Sequence, residues 1–127
     1  MELLPAYAIE IEVATRYLPE ESRPEEDVYY FAYTIGIRNT GRVAAQLISR
    51  RWLLVDAAGV RREVVGEGVV GEQPHLRPGE RFEYTSNAYF HTSYGTMEGA
   101  YTLRAEDGTD FVAPIPQFLL STPRMLH

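Results

Sequence analysis

The sequence has no cysteine and no lysine; all 12 of its basic residues are arginine. Without cysteine there are no disulfides, no thiolate nucleophile and no Cys-ligated zinc. Without lysine there is no Walker-type phosphate lysine and no amine for Schiff-base chemistry. Histidine is scarce, at His75, His91 and His127. No apolar run approaches the roughly 18 residues that span a bilayer. Glu2 stands where a secretory signal would be positive, so a cytoplasmic location is expected. The formal charge is -6. A sequence-independent grip on nucleic acid needs a basic face, and none is evident.

What is present is β-forming. The 127 residues suit one domain, taken as 1–127. The 45% hydrophobic content is enough for a core, and nine Tyr with five Phe is an aromatic load typical of β proteins. Ile9, Ile11 and Val13 alternate with Glu10 and Glu12, as in a half-buried strand. Arg16 to Asp27 is acidic, holds two prolines and reads as a solvated loop. Val28 to Asn39 is the clearest strand, with Tyr29, Phe31, Tyr33, Ile35 and Ile37 on one face. Further strands are expected near 44–56, 60–65, 81–88, 97–105 and 110–115. Pro114 and Pro116 confine the last to an edge or cut it short. Residues from about Phe118 are expected to form a loose tail. No segment shows a sustained helical period. The expected fold is all-β, a two-sheet antiparallel sandwich of about seven strands.

One strand breaks its own alternation. In Ala44 to Asp56, either face sets an arginine, Arg50 or Arg51, among apolar residues. A β-bulge or a buried arginine paired with a carboxylate would resolve this.

Gly66-Glu-Gly68-Val-Val-Gly71 matches G-x-G-x-x-G, the dinucleotide fingerprint. That fingerprint needs a helix directly after the glycines to face the pyrophosphate. Pro74, Pro78 and Gly79 leave no room for one. Glycines in a β protein instead mark bulges, positive φ or close backbone approach, and these three are expected to bend a strand from one sheet to the other. A weaker anion site survives, built from loop N–H groups of Gly66, Gly68 and Gly71. Arg50, Arg51 and Arg77 are its candidate partners, with Arg61, Arg62 and Arg81 nearby in sequence.

The blocks "QLISRRWLLVDAAG", "VVGEGVVGEQPHLRPGERFEYTS", "GTMEGAYTL" and "FVAPIPQF" resemble the ApaG family in order and spacing. The resemblance runs from about Val28 to Pro123. It departs at Asn87, where the family usually has Gly, and at Thr92-Ser93-Tyr94, where Thr-Pro is usual. It implies a fibronectin type III-like or immunoglobulin-like sandwich in a bacterial cytoplasmic protein. It also implies genetic links to cobalt resistance, magnesium efflux and the neighbourhood of diadenosine-tetraphosphate hydrolysis. No established catalytic activity comes with it. Related domains in eukaryotic F-box proteins and in a protein that interacts with DNA polymerase delta look like protein-binding modules.

Catalytic constellations are thin, with no G-x-S-x-G elbow. Glu72 and His75 have the spacing of E-x-x-H, yet that pair shares a face only on a helix, which Pro74 forbids. A site from Glu67, Glu72 and His75 is therefore not expected, and neither metal nor cofactor is assigned. The expected function is a non-enzymatic protein-interaction domain, tied by the resemblance to cobalt and magnesium homeostasis. Its expected surface is Glu72, Gln73, His75, Tyr89 and Tyr94. The partner is an unidentified protein, with a homodimer allowed and neither membrane nor nucleic acid expected. The alternative is a binder of phosphate, pyrophosphate or dinucleoside polyphosphate at the glycine loop.

Overall fold

The computed structural model describes residues 4–123. Its strands are β1 (Ile9–Tyr17), β2 (Tyr29–Asn39), β3 (Ala45–Asp56), β4 (Arg61–Glu67), β5 (His75–Leu76), β6 (Arg81–Phe90), β7 (Tyr94–Ala105) and β8 (Asp110–Ser121). One sheet has the order β1-β2-β6 and the other β4-β3-β7-β8, with β5 added to β3; every pairing is antiparallel. The expected sandwich is therefore present. It has eight strands rather than about seven because β5 is only two residues long. Among the described residues no helix is long and apolar enough to cross a membrane.

The core follows from the alternation of β2. Phe31, Tyr33, Ile35 and Ile37 are buried and meet Leu47, Trp52, Leu54, Met97, Tyr101 and Leu103 of the facing sheet. Trp52 stands edge-on to Tyr33, Tyr101 and Phe118, the tilted geometry aromatic rings prefer.

The muddled alternation of β3 is resolved by a bulge. Leu47 pairs with Leu103 but Ser49 pairs with Thr102, so Ile48 is an extra residue. Before it, odd positions (Ala45, Leu47) face the core; after it, even positions (Trp52, Leu54) do. Arg50 shares the parity of Trp52 and so lies on the inner face, whereas Arg51 faces outward.

Three expectations are corrected. The acidic loop starts later, because β1 continues to Tyr17 by pairing with Phe31, and Leu18 is buried. There is no loose tail at Phe118: β8 runs to Ser121, Phe118 packs on the core and Leu120 is fully buried. Pro114 is tolerated because β8 is an edge strand, and Pro116 because a second bulge falls there, between the pairs Met97–Phe118 and Gly99–Ile115. Nor do the three glycines carry the chain between sheets. Leu76 still pairs with Ala45, and the crossing is made by the turn Arg77–Glu80, which Gly79 (φ 87°) permits.

That corner is held by Asn39, 1% exposed. Its side-chain amide donates to the carbonyls of Val43 and Leu76, and its oxygen accepts from Gly41 N–H. Its main chain bonds both Glu80 and Gly79.

Candidate functional site: the open seam of the sandwich

The two sheets close differently on their two sides. Along one side β1 packs against β8. Along the other, the edge strands β4 and β6 leave a groove of about 310 Å³ lined by residues of β2, β3, β4, β6 and β7.

Hydrogen-bond parity decides what the two edges present. Residues of an antiparallel strand bond alternately to one neighbour and the other. Gly68 N–H donates to Ile48 O and Asp56 N–H to Val60 O, which sets even residues of β4 to bond β3. The backbone groups of Arg61, Glu63, Val65 and Glu67 therefore point to the free edge. On β6 the bond from Asn39 N–H to Glu80 O sets the same phase. Glu83, Thr85, Asn87 and Tyr89 then carry the free-edge groups.

Side chains follow from register. Trp52 lies opposite Val64, Leu54 opposite Arg62 and Arg50 opposite Gly66, all on the inner face. Trp52, Leu54, Ala88, Met97 and Tyr33 make an apolar floor. Arg62 spans the opening: Nη2 donates to Tyr89 O at 2.9 Å and the guanidinium sits 4.4 Å from the Tyr89 ring centroid. Beyond it lies a second cavity of about 270 Å³, lined by Val60, Arg61, Phe90 and His91 among others. At the other end Arg50 Nη1 donates to Glu67 O at 3.1 Å and Gly68 O at 2.9 Å. Each arginine thus covers a free-edge carbonyl, Glu67 O on β4 and Tyr89 O on β6, a device that blunts exposed edges.

Two buried features sit beneath. The Trp52 indole N–H is buried and has no hydrogen-bond partner among the described residues. The Tyr84 and Tyr101 hydroxyls bond each other. Burial pushes both phenols well above the ordinary tyrosine range, opposed slightly by the Arg50 charge.

The residues expected for an anion site are not gathered. Arg50 reaches the glycine loop but donates to its carbonyls. Arg51 bonds Glu63 on the outer face, and Arg77 bonds Glu80 at the crossing turn. Gly66 belongs to the β3–β4 ladder, and the Gly68 amide is taken by Ile48. Gly71 is at the tip of a tight turn closed by mutual bonds of Val69 and Glu72, with Val70 (φ 43°) and Gly71 (φ 82°) at its centre. Free glycine amides beside an arginine, which a phosphate cradle needs, are not assembled there.

The expected interaction residues divide among three places. Glu72, Gln73 and His75 share the glycine-loop end, where Gln73 Nε2 donates to Ile48 O and His75 is paired with Gln46. Tyr89 stands at the groove. Tyr94 opens β7, exposed and opposite Ser121. Between Tyr89 and Tyr94 only His91–Ser93 connect β6 to β7, and Phe90 is core. Neither Trp52 nor Val64 is marked as a groove residue by sequence pattern, although the broken alternation of β3 points to their neighbourhood.

A family model described as the ApaG domain matches residues 19–105. Protein ApaG of Ralstonia nicotianae is 59% identical over 121 residues, covering 95% of this chain and 98% of that protein. Protein ApaG of Stenotrophomonas maltophilia is 54% identical over 127 residues, the full length of both. A crystal structure of an ApaA protein from Bordetella pertussis aligns with TM-score 0.93 at 48% identity, covering 98% of this chain and 100% of that one.

Proposed function

The chain belongs to the ApaG domain family, and on that premise we propose that it is a non-catalytic interaction module that captures an extended segment of a partner protein at the β4–β6 seam. The observation that carries the reading is the pair of free strand edges facing each other across an apolar-floored groove. An extended chain adds to such an edge through main-chain hydrogen bonds, and pockets for alternate side chains supply selectivity. Tyr89 and the edges of β4 and β6 are the contact surface.

The link to cobalt and magnesium homeostasis, implied by family resemblance, is then indirect: the partner handles the ion. Among the described residues no three of His, Asp and Glu converge as a metal site. The glycine loop gives no specific support to phosphate binding, because Gly66 and Gly68 are engaged in pairing.

Photocrosslinking in producing cells tests the reading, with the crosslinker placed in turn at Val64, Asn87 and, on the far edge, Val112. A discrete adduct from the two seam positions and not from Val112 supports it. The same adducts from all three, or none from the seam, overturn it.

A further inference from the structure

The two groove arginines differ from those held by acids. Arg23, Arg51, Arg77, Arg81 and Arg104 each reach a carboxylate. Among the described residues Arg50 and Arg62, like Arg38 and Arg42 elsewhere, bond only neutral carbonyl oxygens; they alone of these four line one groove. A chain of charge -6 thus keeps two guanidinium groups in one groove without an acid to neutralise either. Carboxylate oxygens make shorter and roughly twofold stronger bonds to guanidinium than neutral carbonyls do.

Their spacing is set by register. Arg50 lies opposite Gly66, and Arg62 is four residues before Gly66 on β4. Four residues of strand are roughly 13 Å. A partner strand laid along the free edge of β4 sends residues i, i+2 and i+4 to the inner face. Residues i and i+4 then fall beside the two arginines, and i+2 falls over Val64 and Trp52, at the apolar floor.

We propose that the seam recognises an extended peptide of the pattern acidic–x–apolar–x–acidic, its two carboxylates held by Arg50 and Arg62 and its central side chain set against Trp52, Val64 and Met97. The inference rests on the strand-capture reading and names the chemistry of the captured segment. Arg62 exchanges the Tyr89 carbonyl for a carboxylate, so it acts as a latch that an acidic strand releases.

Trp52 is the only tryptophan, so its indole N–H gives a single resonance inside the groove. The probes are three capped peptides: Thr-Glu-Thr-Val-Thr-Glu-Thr, the same with both Glu changed to Gln, and a version with the acids three apart. Titration followed by the Trp52 indole signal should show the first binding about tenfold or more tighter than the other two. Arg62→Gln should remove that preference, Arg50→Lys should weaken it, and Arg51→Gln, on the outer face, should leave it unchanged. Arg62→Gln removes only surface bonds, so a folding failure at Arg50 does not remove the test. Equal binding of the Gln peptide overturns the acidic pattern and leaves strand capture standing. No indole shift with any peptide overturns the pattern outright, and the photocrosslinks then judge strand capture separately.

Discussion

The guanidinium of Arg50 lies against Gly66 one strand away, so close that a Cβ built on Gly66 would stand 2.8 Å from Arg50 Nη1 and 3.0 Å from Cζ. This accounts for the first glycine of the G-x-G-x-x-G run. Gly68 serves differently: its φ is +64° and a Cβ there would meet the Glu72 carbonyl oxygen at 2.3 Å. Gly71 has φ +82° and open space around it. One pattern thus combines a seat for an arginine, a close backbone approach and a turn.

Gly66→Ala should destabilise the protein by about 1–2 kcal/mol, because the displaced guanidinium loses its two carbonyl bonds. In an Arg50→Ala background the same change should cost close to nothing. A double-mutant cycle by chemical denaturation measures this coupling. Independent, additive effects would show that the guanidinium is not what Gly66 accommodates.

Gly68→Ala should be more damaging, at about 2–4 kcal/mol, since the obstruction is backbone and the φ is left-handed. Gly71→Ala meets only the conformational penalty, about 1 kcal/mol. Denaturation midpoints for the two variants should fall in that order; the reverse order would refute the assigned roles.

Asn39→Ala should cost about 3 kcal/mol. It strips partners from the Val43 and Leu76 carbonyls and from Gly41 N–H at a buried corner. Hydrogen exchange should show faster opening at Gly41 and at the turn Arg77–Glu80 than at the centre of β2. Uniform loosening of the whole chain would contradict a corner-specific role.

The buried tyrosine pair predicts alkaline lability. Both phenols are held protonated by burial, so their folded values lie above the ordinary value of about 10. Above that pH the unfolded chain has lost these protons while the folded chain retains them. The stability contributed is full below pH about 10 and declines as pH rises beyond it. Tyr101→Phe should make this decline shallower, measured as denaturation midpoint between pH 8 and 11. An unchanged slope would count against the pair as its source.

Much of the frame was legible in the sequence because its strands alternate cleanly and its turns carry Gly and Pro. Phe31 to Ile37 announced a core face, and the Pro78 and Gly79 that bar a helix there lie at the centre of the turn Arg77–Glu80. Strand ends were less legible. β1 reaches Tyr17 through pairing with Phe31, a tertiary contact that local polarity does not reveal. β8 passes Pro116 because a bulge absorbs it. The groove was hidden for a different reason: β3, β4 and β6 meet there by topology. The inward placement of Arg50 also depends on one unpaired residue that alternation alone shows only as disorder in the pattern.

The bulge at Ile48 has a wider meaning for how this domain tolerates change. Beyond it, a strand shifted by one residue exchanges its two faces entirely. Deleting Ile48 would instead straighten the strand: Leu47 and Ser49 would become neighbours, still opposite Leu103 and Thr102, and Trp52 and Leu54 would stay inward. The loss falls on the glycine loop, where Gly68 N–H and Gln73 Nε2 donate to the Ile48 carbonyl. Core packing is accordingly indifferent to the loss of this one residue, and what holds Ile48 in the chain is the anchorage its carbonyl gives the glycine loop.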